Sequence, residues 1–86
     1  MHKAVTFTRH AELKLLMLEQ HGFKVSKKEV EETVKIPMRV HAGYKGRKIA
    51  ERILTKNHLL RVVFEEFVHE LKVITLYPAR RDRYED

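Results

Sequence analysis

The chain has 86 residues, 43 % of them hydrophobic, which suits one small domain with a single modest core and leaves no length for a second module. It contains no cysteine, so a disulfide framework, a Cys-based zinc site and a thiol nucleophile are excluded, and a cytoplasmic setting is the expectation. The first residues hold no apolar signal core and no stretch approaches the roughly 20 apolar residues of a membrane span, so neither a targeting segment nor a membrane anchor is expected.

The formal net charge is +6, and its placement is uneven. Lys35, Arg39, Lys45, Arg47, Lys48, Arg52 and Lys56 share one stretch with a single acid, Glu51. Such a concentration suits a polyanion, because each neutralised phosphate releases condensed counterions and makes binding salt-dependent. A solvated basic strand face, or a docking surface for an acidic protein segment, has the same composition.

Taken in order, residues 3–8 read as a short strand or an extended arm that packs Val5 and Phe7, with Thr8 placed as an N-cap. The apolar spacing then predicts a helix over residues 9–21. Ala11, Leu15 and Leu18 form its stripe, and Leu13, Leu16 and Met17 widen that stripe into a core element. Gly22 supplies the left-handed residue and Phe23 the apolar contact of a Schellman ending. Ser26 and Glu29 have the spacing of a capping box, and Val25 and Val30 that of a hydrophobic staple. A second helix therefore starts at Lys27, turns Val30 and Val34 to the core, and ends near Lys35 ahead of Pro37.

Residues 38–42 and 47–54 read as strands around a turn at Gly43-Tyr44-Lys45-Gly46. The long apolar stretch over residues 58–77 lacks Gly, Pro and a helical stripe, so it reads as two antiparallel strands joined around residues 66–69. With period two, Arg61 falls opposite Leu60, Val62 and Phe64, and Leu71, Val73, Thr75 and Tyr77 alternate with Lys72, Ile74 and Leu76. Pro78 is expected to stop the ladder and release a basic tail. The order predicts an α+β fold, with two N-terminal helices packed on one face of a three- to four-stranded antiparallel sheet.

The Thr8-Arg9-His10-Ala11 opening, Val25-Ser26, Pro37, Leu60-Arg61-Val62-Val63, the run from Val73 to Pro78, and Arg83-Tyr84 together resemble a small group within the RelE/ParE-like toxin superfamily, related to BrnT toxins. The resemblance covers nearly the whole chain through short, degenerate motifs. It implies a RelE-like domain acting as a metal-independent ribonuclease toxin that cleaves mRNA through 2′-hydroxyl attack. The implied partners are RNA, free or on the ribosome, and a small acidic antitoxin. A homodimer is a candidate assembly, and no cofactor is implied.

Cleavage of that kind must take a proton from the 2′-hydroxyl, return one to the leaving oxygen and hold extra negative charge on phosphorus. Arg61, Arg83 and Tyr84 match the superfamily habit of placing Arg on a central strand and Arg and Tyr near the C-terminus, while His10 as a catalytic residue rests on the smaller group. Guanidinium groups match two phosphate oxygens at once, which makes Arg80 and Arg81 further candidates for substrate binding, and a tyrosine such as Tyr84 can exchange a proton or stack on a base. Lys14 follows His10 by one helical turn, so the two are placed to flank one phosphate. Arg47 and Lys48 join the substrate-binding set from the basic stretch.

Structural roles compete with each assignment: a hydrogen-bonding group at a helix start for His10, a salt bridge to Glu51 or Glu65 for Arg61, and a frayed terminus for Arg83 and Tyr84. Asp82, Glu85 and Asp86 interrupt the basic tail. A non-catalytic RNA- or protein-binding module on the same fold is the alternative reading, and a gyrase-poisoning relative is a third. The histidines lack metal-ligand spacing and the glycines form no phosphate loop, so no metal site is expected. An exposed part of the first helix's stripe would suit an antitoxin helix.

Overall fold

Thr8 and Ser26 set the two main helices. The computed structural model describes residues 3–84, apart from the side chains of Arg83 and Tyr84. Its elements are β1 (Ala4–Phe7), α1 (Arg9–Gln20), α2 (Lys27–Lys35), β2 (Arg39–Ala42), β3 (Lys48–Thr55), β4 (His58–Glu66), β5 (Glu70–Arg80) and the short α3 (Arg81–Tyr84). The Thr8 hydroxyl accepts from the Ala11 N–H, and the capping box of Ser26 and Glu29 is closed in both directions, which satisfies N–H groups that a helix start leaves without partners. Gly22 at φ 89° and the Phe23 N–H donating to the Leu18 carbonyl at 2.8 Å complete the Schellman ending of α1. No helix among the described residues is long and apolar enough to cross a membrane.

The sheet has five strands in the order β1-β5-β4-β3-β2. This corrects the expected three to four antiparallel strands. The N-terminal arm is a strand in its own right and pairs parallel with β5, Ala4 opposite Glu70 through Phe7 opposite Val73. Joining the ladder satisfies its backbone groups while Val5 and Phe7 pack against the core.

Both helices contribute to one core. Ala11, Leu15 and Leu18 of α1 and Val30 and Val34 of α2 pack with Ala50, Leu60, Val62, Phe64, Leu71, Val73 and Leu76 of the sheet. Each such side chain contributes about 1.5–3 kcal/mol on burial, less for the alanines. Leu13, Leu16 and Met17, expected to widen the core stripe, are instead about half exposed, at 51 %, 59 % and 49 %. The domain covers only one stripe of α1, and the rest of its apolar surface faces outward.

Two further expectations fail at β5. Strict alternation is broken where Val63 pairs with Thr75 while Phe64 pairs with Val73. Ile74 is the extra residue of a bulge. Leu71, Val73 and Leu76 therefore share the core side, while Thr75 and Tyr77 share the face of Arg61 and Val63. Pro78 does not stop the ladder, for β5 runs on to Arg80. The Arg81 N–H donates to Asn57 on the β4 side at 2.9 Å. Counting back in steps of two from Arg81 turns the backbones of Ala79 and Tyr77 to β4 and that of Pro78 away from it. The missing N–H falls on the edge that β1, ending at Phe7 opposite Val73, does not reach, and an edge position is where a strand tolerates proline.

Candidate functional site

The face of the sheet opposite α1 and α2 is built by the alternate residues of the same strands. Arg39 pairs with Glu51 and His41 with Ile49 across β2 and β3, Glu51 with Arg61 across β3 and β4, and Arg61 with Tyr77 across β4 and β5. Period two thus brings Arg39, Glu51, Arg61 and Tyr77 into one row across four strands, with His41 beside it.

Glu51 is the centre of that row. It is 1 % exposed, and it is the one buried acid or base among the described residues. Arg39 Nε lies 3.2 Å and His41 Nε2 3.0 Å from its Oε1, and Arg61 Nε lies 3.0 Å from its Oε2. Taking a carboxylate out of water costs several kcal/mol unless cations and hydrogen bonds surround it, and here cationic groups from two other strands do so. The Arg61 guanidinium also lies 5.7 Å from the centre of the Tyr77 ring, within the range of a cation–π contact. The side chains of Arg39 and His41 remain 38 % and 45 % exposed and that of Arg61 11 %. The outcome is two guanidiniums and one imidazole gathered on a buried carboxylate, with Arg39 and His41 open to solvent.

His10, at the start of α1, places its Nε2 3.0 Å from the Thr75 hydroxyl. Thr75 and Tyr77 are two residues apart on one face of β5, a separation of about 7 Å, so the His10–Thr75 and Arg61–Tyr77 contacts are neighbours along β5. Arg61 itself sits in the salt bridge to Glu51 that competed with a phosphate role. The side chains of Arg83 and Tyr84 lie outside the described residues.

The remaining residues assigned to substrate binding are dispersed. Lys14 lines a cavity of about 500 Å³ with Met17, Leu18, His21, Phe23 and Pro78. Arg80 pairs with Asp82 at 3.3 Å, and Arg81 donates to the Lys56 carbonyl at 3.1 Å, which ties the tail to the β3–β4 turn. Lys48 pairs with Glu66 at 2.5 Å. Lys3 meets the other oxygen of Glu66 at 2.6 Å, and hydrogen bonds and charge from the two lysines hold the Glu66 carboxyl down at about 2. The basic stretch does not form one face. Arg39 points to the Glu51 side, whereas Lys48 and Arg52, opposite Phe64 and Leu60, point to the helix side, and Arg52 lines a cavity there with Glu29 and Glu32.

Comparisons with protein-family models, with curated proteins and with solved structures find no match. The geometry therefore stands alone. Sequence reasoning missed Arg39, His41 and Tyr77 as members of the site. The signal that would have found two of them is the lone acid Glu51 amid seven cations: a strand that places it inward needs partners at the same parity on its neighbours.

Proposed function

We propose that the chain is an RNA-binding protein that cleaves its substrate without a metal, as the toxin of a toxin–antitoxin pair, and that it meets the scissile phosphate with the face carrying Arg39 and Arg61. The observation that supports this reading is the anchoring of two guanidiniums and one imidazole on the buried Glu51 carboxylate. A guanidinium is a planar cation whose fork of N–H groups matches the oxygens of a phosphate. Cations held in place before the substrate arrives need little reorganisation as charge develops on phosphorus. The resemblance of the Leu60-Arg61-Val62-Val63 strand and its neighbours to RelE-like toxins agrees with that use.

The half-exposed Leu13, Leu16 and Met17 on α1 support a protein partner as well. In this reading they receive an apolar helix of the acidic antitoxin, whose acids would meet Arg9 and Lys14 on the same helix. If RNA is bound but left intact, the non-catalytic module is the correct description.

The test is cleavage of a defined RNA by purified protein with chelator present, alone and with ribosomes. Wild type should cut, and Arg61→Ala should cut slower by roughly 10²- to 10³-fold, the effect of losing one preorganised donor. Arg61→Lys, with folding checked by circular dichroism, controls for the loss of the ion pair. Intact RNA under both conditions would overturn the catalytic reading, and no RNA affinity at low salt would overturn the RNA reading altogether.

A further inference from the structure

His10 and His41 are both exposed histidines with one ring nitrogen in a hydrogen bond, but the two bonds differ in what they decide. The partner of His10 is the Thr75 hydroxyl at 3.0 Å. A hydroxyl donates or accepts equally well, so either tautomer of His10 satisfies it. The partner of His41 is the Glu51 carboxylate, 3.0 Å from Nε2. An ionised carboxylate only accepts, so Nε2 carries the proton and the lone pair of a neutral ring resides on Nδ1.

We infer that the His41 imidazole, oriented by the buried Glu51 carboxylate, is the group that takes the proton from the ribose 2′-hydroxyl; this rests on the RNA-cleavage reading above. The ring sits on edge strand β2 with its side chain 45 % exposed, so substrate can reach it. It borders a shallow cavity of about 300 Å³ that Gly43, Gly46 and Arg47 also line. Arg39 and Arg61 lie on the same carboxylate, within 3.2 Å of its oxygens. A phosphate drawn to the two guanidiniums would therefore bring its neighbouring ribose next to His41.

In the step proposed, Nδ1 accepts the 2′-hydroxyl proton as the 2′-oxygen forms a bond to phosphorus. The bond from phosphorus to the 5′-oxygen breaks, that oxygen takes a proton from water, and the hydroxide left behind takes the proton from Nδ1 to re-form water and the neutral ring. The products are a 2′,3′-cyclic phosphate and a 5′-hydroxyl, with the charge of the transient imidazolium balanced by Glu51. Glu51 is a positioning residue in this scheme. His41 would be the catalytic residue.

The experiment uses a DNA oligonucleotide holding one ribonucleotide, purified wild type, His41→Ala and His10→Ala, each confirmed as folded by its thermal transition. Cleavage by His41→Ala should fall roughly a hundredfold or more, with RNA affinity within about twofold of wild type, and added imidazole should restore part of the rate. The rescue is the readout that a merely structural role would not move. His41→Gln, close in size, repeats the test should the alanine variant unfold. Activity of the His41 variants within threefold of wild type overturns the assignment while leaving the ribonuclease reading intact, and so does a loss confined to binding that imidazole does not rescue. A wild type that cuts no RNA overturns both.

Discussion

Glu51→Gln tests whether the buried carboxylate holds the sheet face together, independently of any activity. Glu51 is 1 % exposed and the side chain of Arg61 11 %, so the variant leaves a guanidinium largely out of water with no counter-charge. Breaking a buried pair from one side costs about 3–5 kcal/mol. Arg39 and His41, with side chains 38 % and 45 % exposed, can turn toward solvent and recover hydration. The glutamine carbonyl can still accept one bond, while its amide N–H₂ faces donors. The loss should therefore lie at the lower end, about 3 kcal/mol. For a domain of this size each kcal/mol moves Tm by about 4–8 °C, so the midpoint should drop by roughly 12–24 °C. Arg39→Ala removes only a half-exposed partner and should cost about 0.2–1 kcal/mol. Urea unfolding followed by circular dichroism compares the two at equal slope. If Glu51→Gln falls no further than Arg39→Ala, the carboxylate is hydrated in solution and the reasoning from burial is refuted.

Two other measurements address the frame around the site. Glu66, whose carboxyl is lowered from 4.5 to about 2 by Lys3 and Lys48, contributes stability that is fully present above pH 4.5 and is lost as the pH falls through 2. The Tm gap between wild type and Glu66→Gln should therefore be open at pH 7 and closed below pH 2, and a gap independent of pH would show that the lysine contacts add nothing. Pro78→Ala should change stability by under about 1 kcal/mol, because the position faces the open edge of β5 and the effect is mainly on the unfolded chain. A loss of several kcal/mol would mean that the proline is packed in a way its edge position does not suggest.

What the sequence determined by itself is local. The caps at Thr8 and Ser26, the Schellman ending at Gly22, the turn before Lys48, the β4–β5 hairpin and the placing of Arg61 opposite Leu60 and Val62 depend on residues within a few positions of one another, and period and turn chemistry express them without help. The alliances between distant segments needed the tertiary structure. The arm over residues 3–8 shows nothing in its own composition that selects β5 as a parallel neighbour. The bulge at Ile74 appears only when β5 is laid against β4, and Pro78 is tolerated only because β1 stops short of it. Leu13, Leu16 and Met17 carry the same apolar pattern as core residues, and only the packing of α1 through its Ala11, Leu15 and Leu18 stripe leaves them outside. The site belongs to this second kind. Arg39, His41, Glu51, Arg61 and Tyr77 come from four strands, and a buried carboxylate is stable only where pairing brings cations to it. Strand register, which no single segment encodes, therefore decides whether Glu51 anchors Arg39, His41 and Arg61 or would be driven back to water.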